Sequence, residues 1–151
     1  MKYLWGGLLF ISLSAFMPAS AAGQGSTPQT GRGRGAGLEL GQNYPNPVTS
    51  DTRIPFTIGD ASCSDPSRLY RVSLRIYNVV AQLVAVPVLQ SGTGNVAGGD
   101  AIDNVYLTCN QYAAYWDGTY LNTQQAVAGG VYLFRLEVDG KAVVKKMLVS
   151  K

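Results

Sequence analysis

Beyond residue 38 the apolar positions of this chain alternate with polar ones, and a spacing of about two residues predicts β-strands rather than helices. In TRIPFTI (52–58) Ile54, Phe56 and Ile58 share one face. Pro55 lies on the other face and has no backbone donor, so this strand is expected at a sheet edge or at a bulge. YRVSLRIYNV (70–79) alternates most cleanly, with Val72, Leu74 and Ile76 opposite Arg71, Ser73 and Arg75. AQLVAVPVLQ (81–90) reads as the next strand after a short turn, and Pro87 again argues for an edge. Residues 102–109 and 112–116 read as two further strands around a Gly-rich loop at 91–100 and a Trp-Asp-Gly turn at 116–118. In GGVYLFRLEVDG, Tyr132, Phe134, Leu136 and Val138 share a face and Arg135 and Glu137 share the other. Asp139-Gly140 is a two-residue hairpin signal, and KAVVKKMLVSK is the return strand. No helical period follows the first 21 residues. Roughly seven short strands in a little over a hundred residues predict an all-β fold, an immunoglobulin-like antiparallel β-sandwich. The cysteines do not follow the antibody pattern, because Trp116 comes after Cys109 rather than between Cys63 and Cys109.

The first 37 residues read differently. Residues 1–21 carry Lys2, an apolar run from Tyr3 to Phe16, a break at Pro18 and a small-residue Ala-Ser-Ala pattern, which is the layout of a cleaved signal peptide. An uncleaved anchor is the alternative, but the run falls short of the roughly 20 residues a spanning helix needs. Residues 22–37 are Gly, Ser, Thr, Pro and Gln with Arg32 and Arg34, a flexible linker with almost nothing to bury. That leaves 38–151 as the folded region, and no later stretch is expected to span a membrane.

Composition narrows the function. Without residues 1–21 the chain keeps 11 Lys+Arg (12 less Lys2) against 9 Asp+Glu, so no concentrated basic face for nucleic acid is expected. There are no histidines, which removes the commonest general base and the commonest metal ligand. Asp100/Asp103 and Asp60/Asp65 are close in sequence, and each pair reads either as turn caps or as a calcium or carboxylate site; turn caps are the stronger reading in loops this rich in Gly and Ser. No enzyme activity, cofactor or metal is expected. Cys63 and Cys109 in an exported chain read as a disulfide, against the alternative of two unlinked thiols. Tyr112, Tyr115, Trp116 and Tyr120 read as a core plug with covering tyrosines, or as a carbohydrate or partner platform.

Four blocks then occur in order: LGQNYPNPVTSDTRIPFTI, LRIYNVVAQLV, YWDGT and AVAGGVYLFRLEVDGKAVVKKMLVSK. Together, over residues 38–151, they resemble the type A C-terminal sorting domain of type IX secretion, a relative of FlgD-like immunoglobulin-like domains. The residues that carry the resemblance are Asn43, Tyr44, Pro45, Asn46, Pro47, Trp116, Asp117, Gly118, Gly130 and Tyr132. Each block also has a local physical reading. Pro45 and Pro47 stiffen the lead-in to the first long strand and leave Tyr44 available to pack. In the turn, Trp116 buries, Asp117 caps and Gly118 allows a positive φ.

The resemblance implies an exported protein recognised by a type IX outer-membrane translocon or by sortase components, and delivered to the cell surface or the medium. Lys145, Lys146 and Lys151 on the last strand are the expected sorting surface. The alternative is a periplasmic or surface structural module that acts through strand edges, on other surface proteins or on itself. Two departures stand out. Ala81 occupies the turn after IYN where the family usually has glycine, so that turn is expected to be reshaped. The stretch from Gln90 to Trp116 is longer than usual and contains Cys109, which points to a local addition pinned to Cys63.

Overall fold

The computed structural model describes residues 37–59, 63–121 and 123–151. The expected signal peptide, all of the linker except Gly37, and Asp60 lie outside the described residues. Nine strands are present and no helix occurs among the described residues: β1 Leu38–Leu40, β2 Thr52–Ile58, β3 Leu69–Asn78, β4 Leu83–Ala85, β5 Val88–Leu89, β6 Val105–Thr108, β7 Asn110–Trp116, β8 Gly130–Val138 and β9 Lys141–Val149. One sheet has the order β1-β2-β7-β5 and the other β4-β3-β8-β9, with β6 beside the first half of β3. Every strand pair is antiparallel. The fold is a β-sandwich, with nine strands rather than about seven.

The period-2 pattern dictates the core. Ile54, Phe56 and Ile58 of β2 and Ala114 and Trp116 of β7 point inward from one sheet. Val72, Leu74 and Ile76 of β3 meet them from the other, with Phe134, Leu136 and Val138 of β8 and Met147 and Val149 of β9. Phe134 has no exposed surface, so cutting it to Ala is expected to cost about 3–5 kcal/mol. Ser73 is buried on the polar side of β3 because its hydroxyl accepts the Asn104 amide at 2.9 Å.

Two expectations need correction. The strand read over 81–90 is two strands in different sheets: β4 pairs with β3, and β5 pairs with β7. The chain changes layer around Pro87, and both pieces end up at edges, as a residue without a donor favours. A register shift opposite Ile76 and Tyr77 lets the consecutive residues Val84 and Ala85 both bury, which hides the break from simple alternation. The second correction concerns β2, which is not an edge strand: it lies between β1 and β7. Pro55 is tolerated because the pairing with β1 stops one residue short of it. Beside Pro55 only its carbonyl is engaged, accepting the Gly41 amide at 2.8 Å.

In the turn after IYN, Ala81 adopts φ 61°, a left-handed conformation that favours glycine, so the turn carries a strained residue. Asn78 ties it together, its Oδ1 accepting the amides of Val80 at 3.1 Å and Gln82 at 2.9 Å. The closing hairpin is as expected: Asp139 and Gly140 have φ 48° and 82° and join β8 to β9.

Cys63 and Cys109 form a disulfide across 46 positions of sequence, with their Cα atoms 5.6 Å apart. Cys109 is the single residue between β6 in one sheet and β7 in the other. The bond therefore anchors a corner where the chain switches layers, and Gly59 packs against it so closely that a Cβ there would lie 2.7 Å from the Cys109 Cβ.

Candidate recognition surface

The prolines of the Tyr44–Pro47 phrase each follow a cis peptide bond, and the loop they form folds back on the end of the chain. Asn43 is its hub. It is buried, and its Nδ2 donates to the Pro45 carbonyl at 3.0 Å and to the Thr52 hydroxyl at 3.1 Å. The Thr52 hydroxyl donates to the same Pro45 carbonyl at 3.0 Å. A buried amide and a buried hydroxyl thus satisfy each other and close the loop. Because Asn43 takes the inward position, Tyr44 points away: the residue is 74% exposed and does not pack, contrary to expectation. Its backbone is nonetheless fixed by reciprocal bonds with Arg53, at 2.9 and 2.8 Å.

The loop then covers the outer edge of β9. The Leu148 amide donates to the Asn46 Oδ1 at 2.9 Å. The Val48 amide donates to the Leu148 carbonyl and the Ser150 amide to the Val48 carbonyl, both at 2.8 Å. Farther along, Gln42 Nε2 donates to the Lys146 carbonyl at 3.1 Å. Val48 itself is fully buried. The first and last blocks of the sequence pattern, about a hundred residues apart, form one hydrogen-bonded surface.

The Trp-Asp-Gly turn joins the same end of the sandwich. Asp117 Oδ1 accepts the Thr119 amide at 3.0 Å and its hydroxyl at 2.6 Å, while Trp116 Nε1 donates to the Thr119 carbonyl at 2.9 Å. Gly118 has φ 73°, and a Cβ there would strike the Ser50 carbonyl, so the turn can sit against Ser50, just after the Tyr44–Pro47 loop, only with glycine. Gly130 opens β8 opposite Val149. Tyr132 packs against Trp116 with ring centroids 6.2 Å apart and donates its hydroxyl to the Ala128 carbonyl at 2.8 Å. Burial pushes the Tyr132 phenol above its ordinary pKa of 10.0, and the neighbouring Tyr120 phenol pushes the same way.

The three lysines do not form one patch. Lys145 and Lys146 are consecutive on β9 and point to opposite faces, Lys145 half-buried and Lys146 exposed. Lys151 reaches over the turn, its Nζ 3.6 Å from where a Gly118 Cβ would be.

The aromatic cluster is dispersed in the same way. Trp116 is buried, Tyr112 stacks on Phe56 with centroids 5.5 Å apart, and Tyr115 lies on the opposite face of β7. That is the core-plug arrangement, and these side chains form no common platform.

The aspartates are committed locally. Asp65 accepts the Ser67 hydroxyl at 2.6 Å and the Ser67 amide at 3.0 Å, which hold its carboxyl below the usual carboxylate value. Asp100 Oδ2 accepts the Ala97 amide at 3.1 Å, and Asp103 pairs with Arg75. Among the described residues no three His, Cys, Asp or Glu side chains come together as metal ligands. No helix among them is long and apolar enough to cross a membrane.

One surface feature went unread in the sequence. Val131 and Leu148 are direct cross-strand neighbours on the outer face of β8 and β9, 40% and 49% exposed, with Val144 also exposed on β9. The signal was present: β8 carries Val131 and Leu133 on the face that otherwise holds Arg135 and Glu137, so it is apolar on both sides at one end.

No protein family, curated protein or solved structure matches the chain.

Proposed function

We propose that this is a non-enzymatic exported protein built on a sorting-type β-sandwich, recognised by a type IX outer-membrane translocon and delivered to the cell surface or the medium. The observation that carries this reading is the stapling of the Asn43–Pro47 phrase to the end of β9 by Asn46, Val48, Leu148 and Ser150. An address label must be readable on the folded protein. Here parts of the first, third and last blocks of the sequence resemblance meet at one end of the sandwich, where Tyr44, Lys146 and Lys151 are exposed. Exposed aromatic and cationic side chains on a rigid base are the groups that partner surfaces commonly use. The test is a folded reporter fused ahead of residues 22–151, expressed with a signal peptide in cells that have or lack the translocon. Translocon-dependent protease accessibility on intact cells is the expected result. A folded reporter retained in the periplasm of both strains refutes the reading.

The exposed Val131–Leu148 pair favours a second reading, a structural module that assembles through β9. Among the described residues no hydrogen bond reaches the outward backbone groups of Ala142 and Val144, so part of this edge is open to an added strand. Light scattering after size exclusion distinguishes the two: a strict monomer at high concentration counts against assembly.

A further inference from the structure

Ser91, Gly92 and Thr93, in the stretch that is longer than the family resemblance calls for, build one wall of a groove on the outer face of the β1-β2-β7-β5 sheet. The groove has a volume of about 650 Å³, within the usual range for small-ligand sites. Glu39, Thr57 and Gln111 stand in register across three adjacent strands and project into it. Two strand spacings put their Cβ atoms on a line of about 10 Å. Next to that row the floor is flat and apolar, made by the Pro55 ring and the Ala113 methyl, which are cross-strand neighbours. Ser91 and Thr93 face the row from the loop.

Two close approaches shape this groove without any ligand. Gly41 lies so near Pro55 that a Cβ would fall 2.6 Å from the proline Cγ, which keeps the floor open at the β1 side. In the loop wall a Cβ at Gly92 would fall 2.9 Å from the Gly98 amide nitrogen, and Thr93 Oγ1 accepts the Asn95 amide at 3.3 Å and the Val96 amide at 3.2 Å. The disulfide fixes the start of β7 next to Asn110 and Gln111. A site whose walls are held in advance loses less free energy to ordering when a ligand enters.

The lining chemistry selects the ligand. No Lys or Arg is present and Glu39 adds a negative charge, so phosphate, sulfate and carboxylate groups are disfavoured. Among the described residues, Glu39, Thr57 and Gln111 make no side-chain hydrogen bond to protein. They offer a carboxylate acceptor, a hydroxyl and an amide with both donor and acceptor atoms. A ligand that suits this row needs several hydroxyls of both polarities along one edge and an apolar C–H face to lay on Pro55 and Ala113. We propose that the groove binds a neutral carbohydrate, a short unsubstituted or N-acetylated oligosaccharide. This binding is independent of how the protein is exported.

Saturation-transfer NMR on the exported, disulfide-intact protein tests it, with neutral hexose and N-acetylhexosamine oligomers as probes and uronate and phosphorylated sugars as comparators. Saturation of the neutral oligomers is expected. Gln111→Ala and Thr57→Val are each expected to weaken binding about tenfold, the loss of one polar contact that water does not replace. Ala113→Leu fills the floor and is expected to abolish binding. Unchanged melting curves establish that the variants are folded. The proposal is overturned if no neutral oligomer is saturated at millimolar concentration, if only the acidic sugars bind, or if folded Gln111→Ala and Ala113→Leu proteins bind as the parent does.

Discussion

Ala81 is where a single side chain most clearly opposes its backbone. At φ 61° its Cβ crowds the following carbonyl, a cost of about 1–2 kcal/mol for an L-residue. Glycine removes that cost but gives the unfolded chain more freedom, returning about 0.4–1 kcal/mol. Ala81→Gly is therefore expected to stabilise the protein by about 1 kcal/mol, read as a higher urea midpoint with an unchanged slope. A lower midpoint would mean that the Asn78 bonds hold the turn without strain. Tyr132 makes a second prediction at this scale. Its phenol titrates above its ordinary value of 10.0 because burial penalises the charged form. A raised folded pKa contributes stability that is complete below the unfolded value and is lost as pH rises through the folded one. Unfolding free energy should thus fall as pH rises from about 10 upward. Tyr132→Phe should flatten that decline, at the expense of the hydrogen bond to the Ala128 carbonyl at neutral pH.

At the scale of elements, the β6–β7 corner carries the chain from one sheet to the other through one residue. The Cys63–Cys109 bond closes a long loop onto that residue, and a loop of this length corresponds to about 4 kcal/mol in the chain-entropy account. Reduction should lower the melting temperature markedly and bring hydrogen exchange in β6 and β7 ahead of that in β8 and β9. Equal protection of all four strands after reduction would show that the corner holds without the bond.

The same elements show what the sequence could reveal. β2, β3, β8 and β9 were legible because each turns one face inward: alternation marks β2 and most of β3 and β8, and the Asp139-Gly140 turn marks β9 as the return strand. The β4–β5 segment was not. Its apolar residues face the core from both sheets, and nothing in AQLVAVPVLQ encodes the change of layer except Pro87. Pro55 misled for a related reason. A missing donor argues for an open edge, and here the neighbouring strand simply stops beside it. In the candidate surface, the residues that build it were legible as a motif. Their convergence was not, since bonds such as that from Leu148 to Asn46 span 102 positions.

For the molecule as a whole, the last strand has a structural role and, under the proposed function, a recognition role, and one experiment can confuse them. Deleting residues 146–151 would remove the proposed sorting surface, but it would also remove Met147 and Val149 from the core and the bonds that hold Val48. Lost core side chains of this kind cost about 2–5 kcal/mol each, a large share of the 5–15 kcal/mol that holds a typical domain together. The truncated chain is therefore expected to be degraded rather than retained intact, and its failure to reach the surface would say nothing about recognition. Charge reversal separates the roles. Lys146 and Lys151 are both exposed, so Lys146→Glu with Lys151→Glu should leave the melting temperature nearly unchanged. If these lysines are read by the export machinery, the doubly substituted reporter fusion will be folded, stable and periplasmic in cells with a working translocon. If it reaches the surface as the parent does, recognition rests on the exposed Tyr44 loop instead, and Tyr44→Ala becomes the substitution that should retain the protein.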